Sequence, residues 1–217
     1  MSINRFFDPD KPRDVYSPEF YLNREAADHL YQRPSALRLH LLAGYAAYLM
    51  RFERLLTAAD FGCGTGGLLL LLSDQLANCL MVEGYNTIAA TPLEWPVLWG
   101  YDLQPLNVDM AMSRGIDAKV LDFTTALDED ITWPELLIMT ETLEHLLDPA
   151  GFLERIPGGT QVLFSVPLLD DGKKHDSTHL WGWTDDSFPR MCEQAGITVA
   201  RWHELEGKYQ MLWGTKR

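Results

Sequence analysis

The stretch Asp60-Phe61-Gly62-Cys63-Gly64-Thr65-Gly66 follows directly on the weakly apolar run 55–59. An apolar run closing on three alternating glycines predicts a strand that ends in a loop and passes into a helix. Residues without a Cβ adopt positive φ and leave room beside the backbone, so a nucleotide-like ligand can approach such a loop closely. A Walker-type loop needs Lys and then Ser or Thr after its last glycine, to hold phosphates and Mg2+. Here Gly66 is followed by Gly67-Leu68-Leu69, which argues against a triphosphate site. A dinucleotide fold uses nearly the same loop, with an acidic residue on the ribose after the second strand, and at this point it stays in competition.

Downstream, strand and helix patterns alternate, which predicts a parallel sheet with crossover helices. Strands are expected over 57–61, 97–101, 118–121, 136–139 and 160–166. Helices are expected over 67–77, 106–114 and 187–195, with a further one opening at 143–147. The turn Glu206-Gly207-Lys208 joins two last strands, 197–205 and 209–214, as a hairpin. Acidic residues recur at the strand ends: Asp60, then Asp102, Asp122 and Glu141. A carboxylate over a strand edge can accept both hydroxyl hydrogens of a ribose.

With Asp60 two positions before Gly62, the loop resembles motif I of the Rossmann-like (class I) S-adenosylmethionine-dependent methyltransferases. The resemblance runs through Asp60, Gly62, Gly64, Gly66, Asp102, Asp122 and Glu141, about half the chain. It implies an α/β fold: a seven-stranded, mostly parallel sheet with a C-terminal antiparallel hairpin, helices on both faces and an N-terminal helical cap. It also implies S-adenosylmethionine as methyl donor. Asp60, Gly62, Cys63, Gly64, Gly66 and Glu141 would border it, and Asp102 would hold its ribose. Asp122 would receive the adenine amino hydrogen, with Phe123 against the ring and Leu103 on the opposite face. Dinucleotide-binding domains lack the reversed last strand, so the hairpin favours methyl transfer.

The acceptor side is expected at Thr140-Glu141-Thr142-Leu143-Glu144-His145-Leu146. In a helix, Glu141, Glu144 and His145 share a face, aimed into the cleft outside the carboxyl ends of the strands. One reading pairs Glu144 with His145 as support for the strand edge. Another adds His179, from the segment His175-Asp176-Ser177-Thr178-His179-Leu180-Trp181-Gly182-Trp183-Thr184. Glu141, Glu144, His145 and His179 then make a mixed oxygen and nitrogen site suited to Mg2+ or Mn2+. That arrangement is similar to two metal-assisted families, the O-methyltransferases of ubiquinone synthesis and the 2′-O-methyltransferases of small-RNA 3′ ends. The similarity implies a metal that lowers the pKa of the acceptor hydroxyl. Without a metal, His145 or His179 is the expected general base.

The 217 residues suit one α/β domain. An N-terminal arm and cap are expected over 1–56, with helices over 19–32 and 35–56. The methyltransferase domain follows over 57–217, with an insertion at 78–96. In the second cap helix Leu37, Leu41, Tyr45, Tyr48, Phe52 and Leu55 form an apolar stripe expected to pack on the sheet. Eighteen Lys and Arg against 31 Asp and Glu give a formal charge of −13, which repels nucleic-acid backbones and anionic membranes. A small-molecule acceptor is therefore expected, with no nucleic acid and no membrane. Arg5, Lys11, Arg13, Arg24, Arg33, Arg38, Arg51 and Arg54 read as ordinary helix surface. Cys63, Cys79 and Cys192 form no CxxC, and 1–13 has no signal-length apolar core, so a reduced cytoplasmic compartment is expected. Tyr16, Tyr21, Trp95, Trp181 and Trp183 are candidates for an aromatic acceptor pocket, with core burial as the alternative for each tryptophan. Monomer and homodimer both stay open, and an RNA 2′-O-methyltransferase and a cofactor-binding scaffold without turnover are the competing functions.

Overall fold

The computed structural model describes residues 4–5, 33–84, 95–126, 128–168 and 179–217. The expected helix 19–32, Tyr16, Tyr21, residues 85–94 of the expected insertion and His175 lie outside them. The elements run β1 (Asn4–Arg5), α1 (Arg33–Phe52), β2 (Thr57–Phe61), α2 (Gly67–Gly84), β3 (Val97–Asp102), α3 (Pro105–Ser113) and β4 (Asp117–Val120). They continue with β5 (Leu136–Thr140), α4 (Pro149–Arg155), β6 (Gln161–Pro167), β7 (Trp181–Gly182), α5 (Ser187–Gln194), β8 (Ile197–Leu205) and β9 (Tyr209–Lys216).

Seven strands form one sheet in the order β4-β3-β2-β5-β6-β9-β8. β4, β3, β2, β5 and β6 pair in parallel, whereas β9 lies antiparallel to both β6 and β8. This is the expected Rossmann-like sheet with its terminal hairpin. From β2 the chain builds outward to β3 and β4, then returns to place β5 on the other side of β2. Such a reversal opens a crevice at the carboxyl ends of the strands, where open α/β sheets bind ligands.

Alternate residues of the central strands point to opposite faces. Ala59, Phe61, Leu137, Met139, Val162 and Phe164 share a core with Phe152 and Leu153 of α4 and Phe188, Met191 and Cys192 of α5. Ala58, Leu136, Ile138 and Leu163 face Leu42, Ala46 and Leu49 of α1 and Leu68, Leu72 and Leu76 of α2. Among the described residues no helix is long and apolar enough to cross a membrane.

Two expectations change here. The stripe assigned to the sheet divides: Leu37, Leu41 and Tyr48 are exposed and Phe52 is 66% exposed, whereas Tyr45 and Leu55 are half-buried against the core. The face that packs is Leu39, Leu42, Ala43, Ala46, Ala47, Leu49 and Met50. Its three alanines, set among Leu39, Leu42, Leu49 and Met50, leave room for the helix backbone to approach α2 and the sheet. The helix after the glycine loop also runs on to Gly84, so the first residues assigned to an insertion extend α2.

Away from the crevice, Lys216 joins two helices to the last strand. Its Nζ donates to the carbonyls of Leu153 at 3.0 Å and Glu154 at 3.2 Å in the last turn of α4, and to the carbonyl of Ala195, which caps α5. A cation there complements the carbonyls that a helix end leaves without intrahelical partners.

Candidate active site

The glycine loop takes its shape from positive φ at Gly62 (87°), Gly64 (54°) and Gly66 (79°). Gly62 N and Cys63 N both donate to Tyr101 O at the end of β3, at 2.8 and 3.0 Å. A Cβ on Gly62 would stand 2.3 Å from Thr142 Oγ1, whereas one on Gly64 would meet nothing within 4 Å. The loop after β2 is therefore pressed against the loop after β5 and open at Gly64. Arg114 Nη1 holds it from α3, donating to Thr65 O and Thr65 Oγ1, each at 3.0 Å. The side chain of Cys63 turns into the core against Gly100, where a Cβ would come within 2.6 Å of its sulfur. Only the backbone of Cys63 belongs to the cradle.

Asp102 ends β3 under this loop. Its Oδ2 accepts from Gly64 N at 2.8 Å, and its Oδ1 accepts from Gln104 N at 2.8 Å and Asn107 Nδ2 at 3.1 Å. Burial outweighs these bonds and raises its pKa. Asp60 is almost fully buried, and its Oδ1 has no hydrogen-bond partner. Burial first, and the neighbouring Asp102 second, push its carboxyl from the ordinary 3.8 up to about 8. A native pKa above the unfolded one means that folding takes up a proton, so this contribution is complete below about pH 4 and lost as pH rises through about 8. Asn at this position is neutral at every pH. The ligand-free Asp60→Asn protein should therefore gain stability relative to the parent steadily across that window in urea denaturation. Parallel stability curves would show that Asp60 folds as an ordinary carboxylate.

Along the neighbouring edge, Asp122 is half-buried and its Oδ1 accepts from Thr124 N at 3.0 Å and Thr124 Oγ1 at 2.5 Å. Leu103 is half-buried beside Asp102. The ring of Phe123 is buried, with centroids 5.2 Å from Phe61 and 5.5 Å from Phe152.

Glu141 departs from the expected helical face. β5 ends at Thr140, and Glu141 N still donates to Ser165 O at 2.9 Å on β6. Glu141 then turns at φ 54°, a left-handed conformation costly for a residue with a Cβ. A single 3-10 turn, Leu143–His145, follows in place of the helix expected at 143–147. Glu141 is not in the group that Glu144, His145 and His179 form. Its Oε2 lies 3.1 Å from Arg38 Nη1, and its Oε1 accepts from Ser165 Oγ at 3.4 Å. Burial pushes its pKa up to about 7, with Arg38 opposing. Arg38, read from sequence as surface, is 7% exposed and also stands 4.5 Å above the Tyr209 ring.

Glu144, His145 and His179 do come together. One ligand atom from each lies within 4.8 Å of the others, the one such group among the described residues. Glu144 is fully buried, its Oε1 is 4.0 Å from His145 Nε2, and the two imidazoles meet edge to face at 5.0 Å. Leu180 N donates to Glu144 O at 2.8 Å, which fixes the His179 segment beside the 3-10 turn. Of the aromatic pocket candidates, Trp183 is fully buried in the core, Trp181 Nε1 donates to Leu146 O at 2.7 Å, and Trp95 is exposed.

Arg38, Thr142, Ser165 and Arg114 were missed as site residues. Only Arg38 left any sequence signal, as an arginine within an apolar helix.

The methyltransferase domain family model matches residues 28–201. No protein of curated function matches the chain in sequence. Human N-acetylserotonin methyltransferase in complex with S-adenosylmethionine aligns with a TM-score of 0.62 and 16% identity, over 95% of this chain and 60% of its own. Magnesium protoporphyrin IX methyltransferase from Synechocystis PCC 6803, with bound S-adenosylmethionine, gives 0.56 and 13%, over 94% and 89%. The cyclase SpnF gives 0.61 and 13%, over 90% and 85%. Identities this low speak for the fold. With the family match over most of the length, a glycine loop at the sheet's reversal and Asp102 beneath it, the chain belongs to the methyltransferase domain family of Rossmann-like, S-adenosylmethionine-dependent enzymes.

Proposed function

We propose that this enzyme transfers the methyl group of S-adenosylmethionine to a hydroxyl of a small-molecule acceptor, with a divalent cation assisting at Glu144, His145 and His179. The observation that carries the donor half is the pair of buried carboxyls around the glycine loop. Asp60 Oδ1 has no partner, and Asp102 is held through neutral donors, so the pocket suits a cationic ligand that carries hydroxyls. A dinucleotide would bring its negatively charged pyrophosphate to the same loop. S-adenosylmethionine brings a sulfonium, an ammonium and a ribose.

On this reading Asp102 accepts the ribose hydroxyls, Asp60 gives up its proton as the donor's positive charge binds and then balances it, and the backbone from Gly62 to Gly66 lies against the donor. Asp122 receives the adenine amino hydrogen and Leu103 covers the ring. The acceptor half rests on the three-residue cluster, whose one carboxylate and two imidazoles fit Mg2+ or Mn2+. A cation held there supplies Lewis acidity to an acceptor hydroxyl. The same two histidines offer a proton acceptor at the crevice. Two of the neighbours are named for methylating small molecules, which supports that acceptor class.

The cyclase SpnF shares the fold at comparable similarity, so fold alone does not name the reaction. The test is transfer from labelled S-adenosylmethionine to a panel of phenols and catechols, with a short RNA as competing acceptor, in Mg2+, Mn2+ or EDTA. Transfer to a phenol or catechol that EDTA abolishes is expected. Glu144→Gln and His179→Ala should each lower it about tenfold or more while leaving S-adenosylhomocysteine affinity nearly unchanged. Turnover indifferent to EDTA removes the metal, and donor binding without transfer to any acceptor favours a scaffold.

A further inference from the structure

Arg155 ends α4, yet its guanidinium is used on another element. Nη1 donates to Phe123 O at 3.2 Å and Thr124 O at 3.4 Å, and Nη2 donates to Ala126 O at 2.6 Å. Nε and Nη2 also meet Asp128 Oδ1, at 2.9 and 2.8 Å. One side chain thus gathers the carbonyls of three residues in the turn that follows β4. The turn's own bonds start at Asp122: its carbonyl accepts from Thr125 N and Ala126 N, and its Oδ1 from Thr124.

We propose that Arg155 is a positioning residue for the donor's adenine, holding the turn 122–126 so that the Asp122 carboxylate faces the exocyclic amino group. The proposal rests on the donor reading above. The planar guanidinium presents donors in a fixed fork, so several carbonyls held at once fix the turn's orientation as well as its distance. The Asp128 contact adds little, because that carboxylate is 64% exposed and surface pairs are weak. The carbonyl bonds carry the effect. Arg155 touches neither donor nor acceptor on this account and acts through Asp122.

The test is base discrimination. S-inosylhomocysteine carries a carbonyl where S-adenosylhomocysteine carries the amino group, so a correctly aimed Asp122 disfavours it. Calorimetry on the parent should give a preference for S-adenosylhomocysteine of about tenfold or more. Arg155→Met should weaken S-adenosylhomocysteine by about that factor and bring the ratio of the two affinities close to one. Arg155→Lys keeps the charge but satisfies fewer carbonyls; it should give an intermediate ratio, and it serves as the readout if Arg155→Met does not fold. Equal weakening of both ligands, with the ratio preserved, would make Arg155 merely structural and overturn the proposal. A parent that binds both equally overturns it too, since no amino contact is then there to position. Failure of the parent to bind either ligand would instead sink the donor reading.

Discussion

Gly62→Ala should cost about 100-fold or more in S-adenosylhomocysteine affinity and lower the melting temperature as well. The residue sits at φ 87°, and an added Cβ would lie 2.3 Å from Thr142 Oγ1 and 2.7 Å from its Cγ2. Two separate penalties act at this position. Left-handed backbone costs a non-glycine residue roughly 1–3 kcal/mol, and overpacking typically adds about 1–3 kcal/mol. Thr142 has little room to yield, because its hydroxyl bonds Thr140 O at 3.2 Å and its backbone opens the 3-10 turn that carries Glu144 and His145. The loop must therefore move, and a shift worth about 2.7 kcal/mol in binding is a factor of about 100. Isothermal calorimetry beside a thermal melt separates the two effects. Unchanged affinity in a folded Gly62→Ala protein would show that this loop is not the donor's cradle.

A comparable loss of affinity is expected for Asp102→Asn, with less effect on the fold. The substitution keeps the side chain's size but replaces one acceptor oxygen by a donor. Whichever way the amide turns, its NH2 faces either Gly64 N–H or the Gln104 N–H and Asn107 pair. One or two donors are then left unsatisfied, at about 1–3 kcal/mol each, and the ribose loses a carboxylate that would accept both of its hydroxyls. About 100-fold weaker S-adenosylhomocysteine binding is the expected sum, read by calorimetry at pH 7.5. If Asp102→Asn binds as tightly as the parent, the ribose is held elsewhere.

Strand positions and the glycine loop were legible in the sequence because their signals are local. β2, β3, β5 and β6 are short apolar runs, and each of Gly62, Gly64 and Gly66 is demanded by its own backbone conformation, whereas β1 and β7, which pair with each other, carry no such run and were not expected. The phase of α1 was not legible. That helix is apolar nearly all round, and reading large side chains as core selected Leu37, Leu41, Tyr48 and Phe52, whereas close approach to the sheet selects Ala43, Ala46 and Ala47. Glu141 failed for another reason. A helical face presumes that the helix has begun, but strand pairing with β6 persists one residue further and a left-handed residue follows. Arg38 and Arg155 act on residues about 100 and 30 positions away in the chain, and no periodicity encodes such contacts. The pairing of Glu144 and His145 with His179 was suggested by residue type, and its geometry came from Leu180 tying the two segments together.

Lys216 gives the fold a unit of cooperativity. Because one ammonium closes the ends of α4 and α5, fraying of either last turn breaks a bond to the final strand. Local opening free energies in proteins follow such shared bonds and group neighbouring elements into units that open together. α4 also ends in Arg155, so the helix end that Lys216 holds is the one from which the carbonyls of the turn 122–126 are gathered. The last strand and the turn beside β4 are thereby linked through one helix end.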